Sequence, residues 1–197
     1  MSKKILITGG AGYIGTVLIP MLLEKNYDVV VVDRLIFKQN SPQYEKNFQF
    51  INDDVRNFPF MKKLLKEKKF DVVIPLAALV GAPICSQYPK ETKEINYEAC
   101  KFLIENTDKD VNIILPVSNS GYGIASHNEQ CTEESELNPI SAYGVTKVQS
   151  EKSLIKRGNF VSLRLATVFG MSPRMRLDLL VNNFVSEAVT NKYLEIF

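Results

Sequence analysis

The chain has little cysteine and almost no histidine: three cysteines and one histidine in 197 residues. Cys85, Cys100 and Cys131 lack the spacing of a metal site and cannot all pair with one another. We therefore expect reduced thiols, no bound metal and a cytoplasmic location. The single histidine, His127, lies in a polar segment, where we expect it to be solvated rather than catalytic.

The chain also lacks an excess of one charge sign and a long hydrophobic run. Lys and Arg number 24 against 22 Asp and Glu, so the net charge is only +2. This balance gives no electrostatic reason to expect nucleic acid or a membrane surface as a partner. No apolar stretch is long enough to span a bilayer, and the N-terminus has too few apolar residues for a signal peptide.

What the chain does contain is an alternation of short apolar runs with longer amphipathic segments, which is typical of βαβ units. The predicted strands are Lys4–Thr8, Asp28–Asp33, Phe48–Ile51, Asp71–Leu76, Asn112–Val117 and Phe160–Leu165. The predicted helices are Tyr13–Glu24, Phe58–Glu67, Glu91–Asn106, Ala142–Arg157 and Leu179–Thr190. The strands are rich in Val, Ile and Leu, which predicts an α/β fold with a doubly wound parallel sheet buried on both faces.

A glycine-rich turn joins the first predicted strand to the first predicted helix. Its sequence is Gly10-Ala11-Gly12-Tyr13-Ile14-Gly15, and Gly9 adds a second register. Such glycines permit a tight turn, let backbone N–H groups approach a pyrophosphate, and allow close packing of helix on strand. The positive end of the helix dipole then faces the phosphates. The turn therefore predicts an NAD(P)-binding Rossmann fold.

Asp33 ends the second strand, where a carboxylate accepts hydrogen bonds from the adenosine ribose and repels a 2′-phosphate. This favours NAD over NADP, although the guanidinium of the adjacent Arg34 can pair with such a phosphate. We predict NAD as the cofactor. The turn and strand residues predicted to bind it are Gly9, Gly12, Tyr13, Ile14, Gly15, Asp33 and Arg34.

Further motifs follow in a fixed order. They are Asp53-Asp54-Val55-Arg56, Pro75-Leu76-Ala77-Ala78, Asn96, Ser118-Asn119-Ser120-Gly121-Tyr122-Gly123, Tyr143-Gly144-Val145-Thr146-Lys147, and Leu163-Arg164-Leu165-Ala166-Thr167-Val168-Phe169-Gly170. With the opening Thr8–Gly15, they make the chain resemble the extended short-chain dehydrogenase/reductases, the NAD-dependent nucleotide-sugar epimerases and dehydratases. The resemblance covers most of this chain and about the first two-thirds of a typical relative.

The resemblance implies roles for particular residues. Cofactor contacts are implied for Asp54, Val55, Leu76, Ala77, Ala78, Asn96, Tyr143 and Lys147, and catalysis for Ser118, Tyr143 and Lys147. Substrate contacts are implied for Ser118, Asn119 and Thr167, although many relatives have asparagine at position 167. Ser120 competes with Ser118 for the catalytic role. Arg174 and Arg176 are candidates to hold the substrate pyrophosphate bidentately, or are surface charges.

Tyr143 and Lys147 are four residues apart, so on a helix they share one face. A tyrosine hydroxyl ordinarily has a pKa of about 10. We expect the Lys147 ammonium and the positive nicotinamide to lower the pKa of Tyr143, so that Tyr143 exchanges a proton with a sugar hydroxyl while hydride passes between the same carbon and NAD. Ser118 would orient that hydroxyl.

The type of reaction is less determined. The 4,6-dehydratases of this family carry an Asp-Glu pair just after the catalytic hydroxyl residue, where this chain has Asn119 and Ser120. Neither is a good proton carrier, which favours an epimerase-like enzyme acting on a nucleotide sugar. A nucleotide-sugar reductase or dehydrogenase, a 4,6-dehydratase and a non-catalytic NAD-binding fragment are the alternatives.

The resemblance also implies the organisation of the chain. Residues 1–170 are expected to form the NAD-binding Rossmann domain, and residues 171–197 to begin a truncated substrate-binding region. Relatives pair through the helices that correspond to Glu91–Asn106 and Ala142–Arg157, so a homodimer is expected.

Overall fold

The strands of the computed structural model, which describes residues 2–37, 39–124, 130–194 and 196, form one parallel sheet. They are β1 Lys4–Thr8, β2 Asp28–Asp33, β3 Phe48–Asn52, β4 Val72–Pro75, β5 Asn112–Ser118 and β6 Phe160–Leu165. Their order across the sheet is β3-β2-β1-β4-β5-β6. Strands β2 and β3 lie on one side of β1, and β4, β5 and β6 lie on its other side. The predicted doubly wound sheet of a Rossmann fold is therefore confirmed.

The helices are α1 Gly15–Glu24, α2 Phe58–Lys68, α3 Ala82–Gln87, α4 Pro89–Lys93, α5 Cys100–Asn106, α6 Ala142–Arg157 and α7 Leu180–Thr190. A π-helical stretch, Glu94–Ala99, joins α4 to α5, so the segment predicted as one helix is composite. The sequence did not predict α3, because a helix of six residues is too short to display a periodic pattern. In the described ranges, none of the helices combines the length and apolarity needed to cross a membrane.

The two faces of the sheet are buried by different helices, as the alternation of side chains along a strand requires. One face packs against α2, α5 and α6 in a cluster that includes Leu6, Val32, Val73, Met61, Leu103 and Leu154. The other packs against α1 in a cluster that includes Ile5, Ile7, Val29, Val31, Ile74 and Ile19. Both layers hold the carboxyl ends of the strands at one edge of the molecule, where the predicted site residues lie.

The glycine turn after β1 is packed too tightly for any side chain at two positions. Gly9 has φ +73°, and a Cβ atom there would lie 2.5 Å from the backbone nitrogen of Ala77. At Gly15, where α1 begins, a Cβ atom would lie 2.3 Å from the carbonyl oxygen of Gly10. The predicted start of the helix at Tyr13 is therefore two residues early. Only glycine permits this approach of the turn to β4 and to the helix start.

The segment after β5 begins with a short 3₁₀ turn, Asn119–Gly121. The later part of that segment includes residues 125–129, and His127 among them lies outside the described residues.

Candidate functional site

A cleft of about 880 Å³ opens at the carboxyl ends of the strands, a volume within the usual range of ligand sites. It runs from the glycine turn and the end of β2, past the ends of β4 and β5, to α6 and the segment after β6. The predicted site residues that line it are Gly9, Gly12, Tyr13, Ile14, Gly15, Asp33, Arg34, Asp54, Val55, Leu76, Ala77, Ala78, Ser118, Asn119, Tyr143, Lys147, Thr167, Arg174 and Arg176. Of the predicted residues, Asn96 alone is not among them.

Asp33 is held firmly at one end of the cleft. Its side chain is buried and accepts hydrogen bonds from the backbone nitrogens of Ala11 (3.0 Å) and Leu35 (2.8 Å). The carboxylate thereby links the glycine turn to the end of β2. Together, the tight turn and the fixed carboxylate form a cradle whose donors and acceptor fit the pyrophosphate and ribose of a dinucleotide.

Asp54 belongs to an ion cluster beside this end of the cleft. Its Oδ2 lies 2.9 Å from Nη1 of Arg34 and 2.7 Å from Nη2 of Arg56. Burial alone would raise the pKa of Asp54, but the hydrogen bonds from Arg56 and the charges of Arg56 and Arg34 lower that pKa to about 2. Glu91 and Glu94 complete the cluster, which joins the segment after β3 to α4 and the π-helical stretch.

The two residues of the predicted catalytic pair, Tyr143 and Lys147, lie near the start of α6. Ser141 begins the helix by accepting a hydrogen bond from the backbone nitrogen of Gly144 (3.1 Å), which fixes the first turn that carries Tyr143. Lys147 is buried one turn later; its Nζ lies 5.9 Å from the centroid of the Tyr143 ring and donates to the carbonyl oxygen of Pro116 (3.3 Å). The predicted shared face of the helix is therefore present.

The electrostatics of Tyr143 differ from the expectation. Burial raises the pKa of Tyr143, with a smaller contribution from Cys85, whereas the Arg176 charge and a hydrogen bond with Ser118 lower it. Burial likewise lowers the pKa of Lys147. Lys147 thus does not bring the tyrosine pKa down, because desolvation in this buried corner opposes both charged forms and the ammonium is bonded to a backbone carbonyl.

The 3₁₀ turn selects between the two candidate serines. Ser118 lines the cleft and contributes to lowering the pKa of Tyr143, whereas Ser120 does not line the cleft and instead donates its hydroxyl (2.9 Å) and backbone N–H (3.2 Å) to Ser118 Oγ. Ser120 is therefore a support for Ser118. The turn reaches α6 at Gly144, where a Cβ atom would lie only 3.0 Å from the Ser120 carbonyl oxygen. The sequence analysis missed this role of Gly144.

Asn96, a predicted cofactor contact, does not line the cleft. Its side chain is buried, accepts from the backbone nitrogen of Leu79 (2.8 Å) and donates to the backbone oxygen of Leu79 (2.8 Å). Its backbone carbonyl accepts from the Ser150 hydroxyl (2.8 Å). Asn96 therefore acts as a clamp on Leu79, which lines the cleft, and its contact with the cofactor stays a prediction.

Thr167, Arg174 and Arg176, the predicted substrate residues on the segment after β6, also line the cleft. The Arg174 guanidinium lies 4.3 Å from the centroid of the Phe37 ring, and Arg176 Nε lies 3.1 Å from Asp178 Oδ1. Sequence reasoning missed Phe37 and Asp178. The signal for Phe37 was its place in the long polar segment that leaves the end of β2, where ligands bind in such sheets.

These features define a dinucleotide-binding Rossmann fold: a doubly wound sheet and a glycine turn facing Asp33, with a Tyr-Lys-Ser group in the same cleft. Residues 5–196 match the model of the NAD dependent epimerase/dehydratase family, and the chain belongs to that family. The predicted family and the predicted cofactor, NAD, are thereby confirmed.

Individual relatives agree with this placement. The chain is 31% identical over 174 residues to a putative UDP-glucose 4-epimerase of Methanocaldococcus jannaschii, covering 84% of this chain and 56% of that protein. It is 26% identical to a dTDP-D-glucose 4,6-dehydratase of Dictyostelium discoideum, covering 96% of this chain and 49% of that protein. The chain thus spans about half the length of these relatives.

Two solved structures of UDP-glucose 4-epimerases also superpose on this chain. A UDP-glucose 4-epimerase of Thermotoga maritima, solved with UDP-glucose, superposes with a TM-score of 0.85 at 26% identity, covering 98% of this chain and 65% of that one. A UDP-glucose 4-epimerase of Thermus thermophilus, solved with NAD, superposes with a TM-score of 0.80 at 25% identity, covering 94% and 61%.

Proposed function

We propose that this chain carries the cofactor site and catalytic residues of a nucleotide-sugar epimerase-like oxidoreductase, in which hydride passes between a sugar hydroxyl carbon and NAD. The observation that carries the proposal is that Ser118, Tyr143 and the buried Lys147 line the same cleft as the glycine turn and Asp33. The relatives named as UDP-glucose 4-epimerases support a nucleotide sugar as the substrate.

In this proposal each residue of the catalytic group has one task. NAD, when bound, supplies the hydride acceptor and a positive charge beside Tyr143. Ser118 orients the reacting sugar hydroxyl, and Tyr143 takes its proton and later returns it. Lys147 uses one of its three N–H donors for the Pro116 carbonyl, which leaves two donors for the nicotinamide ribose.

Tyr143 must lose a proton in a place where burial raises its pKa. Arg176 already lowers that pKa through its charge, and a positive nicotinamide would act in the same direction. We propose that Tyr143 is protonated in the empty site and ionises only when the cofactor is in place. This sequence of events would couple the proton step to cofactor binding.

Epimerisation is favoured over dehydration by the residues beside Ser118. Asn119 lines the cleft, and Ser120 is occupied by Ser118, so no carboxyl group follows the catalytic serine. Elimination of water needs such a proton carrier, whereas oxidation and reduction at one carbon do not. A reductase or dehydrogenase uses the same residues and differs by a net change in NADH.

Three finer points belong to the same proposal. Residues 171–197 begin a substrate-binding region, in which Arg174 and Arg176 bind the pyrophosphate of the nucleotide sugar. Two copies pair through α5 and α6, where Val145 and Ile155 of α6 are exposed. The protein works in the cytoplasm, consistent with unpaired Cys85, Cys100 and Cys131. Light scattering on the purified protein tests the dimer. Substitution of Arg174 or of Arg176 should weaken the binding of UDP-glucose.

Turnover of a panel of UDP-, dTDP-, GDP- and CDP-sugars by the purified chain tests the proposal, with NAD measured after denaturation. Epimerisation leaves reduced nicotinamide absorbance unchanged, whereas a reductase or dehydrogenase changes it. Tyr143→Phe should abolish turnover. Tyr88→Phe is the matched control, because Tyr88 is half-exposed and outside the cleft.

Two results would contradict parts of the proposal. Turnover that persists in Tyr143→Phe would remove Tyr143 from the chemistry. NAD binding with no turnover of any nucleotide sugar would favour the alternative of a non-catalytic NAD-binding fragment.

A further inference from the structure

Arg34 poses a question about cofactor choice, because it lines the cleft directly after Asp33. A guanidinium at this place could hold the 2′-phosphate of NADP through two parallel hydrogen bonds. Asp33 opposes that phosphate, but its carboxylate already accepts from the backbone nitrogens of Ala11 and Leu35. Discrimination against NADP therefore depends on whether Arg34 is available to an incoming phosphate.

The structure engages both terminal nitrogens of Arg34. Nη1 lies 2.9 Å from Asp54 Oδ2, and Nη2 lies 3.4 Å from Glu91 Oε1. The guanidinium fork is planar and rigid, so these two carboxylates fix its orientation, and a phosphate that binds both terminal nitrogens must compete with them. Glu91 itself does not line the cleft and acts through Arg34.

The charges around Arg34 compete with a phosphate for its guanidinium. Arg34 and Arg56 face the three carboxylates of Asp54, Glu91 and Glu94. Lys90, whose side chain is 89% exposed, lies near Glu94 at 3.9 Å. A 2′-phosphate at this end of the cleft would have to compete with Asp54 and Glu91 for Arg34, and the carboxylate of Asp33 would repel it.

We propose that Glu91, together with Asp54, is a specificity-determining residue that holds Arg34 away from the adenosine 2′ position and so makes the site select NAD over NADP. The inference rests on the proposed binding of NAD in this cleft. Glu91 lies in α4, 57 residues from Arg34 in sequence, so this is a positioning role that connects a distant helix to the ribose end of the cleft.

The test compares the dissociation constants of NAD and NADP by calorimetry for wild type, Glu91→Gln and Glu94→Gln. Glu94→Gln is the matched control, because Glu94 pairs with Arg56 and Lys90 but not with Arg34. We expect wild type to prefer NAD. In Glu91→Gln the affinity for NADP should rise about three- to tenfold, with the affinity for NAD changed less than about twofold, since one charge-assisted hydrogen bond becomes available. Glu94→Gln should keep the wild-type ratio.

A second variant separates positioning by Glu91 from a general change of charge. Adding Arg34→Ala to Glu91→Gln should cancel the gain in NADP affinity, because the gain requires the guanidinium. An unchanged ratio in Glu91→Gln, an equal gain in Glu94→Gln, or a gain that survives Arg34→Ala would each overturn this inference while NAD binding by wild type stands. Wild-type protein that binds neither dinucleotide would overturn the proposed function as well.

Discussion

The ion pair between Glu151 and Arg164 connects α6 to the segment that follows Ser118. Glu151 lies on α6 two turns beyond Tyr143, with its side chain 5% exposed, and its Oε1 and Oε2 lie 3.0 and 3.1 Å from Arg164 Nε on β6. Nη1 of Arg164 in turn donates to the Tyr122 hydroxyl (3.1 Å). We predict that Glu151→Gln destabilises the whole chain.

The expected loss in the free energy of unfolding depends on which hydrogen bonds remain after the substitution. Glutamine keeps the shape and can still accept from the Ser162 hydroxyl, which lies 2.7 Å from Glu151 Oε1, but it removes the charge opposite Arg164. Charged hydrogen bonds contribute about 1.5 to 3 kcal/mol, and breaking a buried pair costs about 3 to 5 kcal/mol. Since Arg164 keeps Tyr122, we expect a loss of about 2 to 3 kcal/mol, which lowers the Tm by about 5 to 10 °C.

Urea denaturation followed by circular dichroism measures the free energy of unfolding, with Glu105→Gln as control. Glu105 pairs with Lys101 at 3.7 Å on the surface, so its variant should change stability by less than about 0.5 kcal/mol. Arg164→Met should cost about 3 to 5 kcal/mol, and the double variant should cost about 1 to 3 kcal/mol less than the sum of the single variants. A change in Glu151→Gln as small as that of the control, or strictly additive single effects, would refute the reasoning.

Three further predictions test other parts of the structure. Gly15→Ala should weaken NAD binding about tenfold in calorimetry, because its Cβ atom would meet the Gly10 carbonyl oxygen at 2.3 Å; an unchanged Kd would contradict the packing of the turn. Asn96→Ala removes both hydrogen bonds to Leu79 and should cost about 2 to 4 kcal/mol in urea unfolding, whereas a loss below about 1 kcal/mol would argue against the clamp. Asp54→Asn should cost about 1 kcal/mol at pH 7, a value reduced for its partial exposure; because the folded pKa of Asp54, about 2, lies below its ordinary 3.8, this difference should be full above pH 4 and shrink as the pH falls towards 2. A difference that stays constant from pH 7 to pH 3 would contradict the assigned ion pairs.

Local sequence signals were sufficient for the elements that frame the site. Three of the strands, Lys4–Thr8, Asp28–Asp33 and Phe160–Leu165, and the helix Ala142–Arg157 begin and end as predicted. Their boundaries are marked by residues next to them in the chain, such as the glycine turn and the Ser141 cap. Strand β4 is one residue shorter than predicted at both ends, whereas β3 and β5 each extend one residue further at their carboxyl ends, where terminal pairing depends on the neighbouring strand.

The positions of Tyr143, Lys147 and Asp33 in the cleft were predictable for the same reason. Tyr143 and Lys147 need only four residues of helix between them to share a face, and Asp33 needs only the end of its own strand. The sequence alone left two questions open. One was whether Ser118 or Ser120 is the catalytic candidate, and the other was whether Arg34 is free to bind a phosphate or is paired with carboxylates.

Those choices depend on contacts that no local pattern encodes. The partners of Arg34 lie 20 and 57 residues away, and those of Asn96 and Glu151 lie 17 and 13 residues away, so only the folded chain brings them together. The raised pKa of Tyr143 likewise follows from burial by several elements at once. Spacing along the chain thus determined which groups stand at the cleft, whereas tertiary packing decided which of them are free to act, because desolvation and charge pairing are set by neighbours in space.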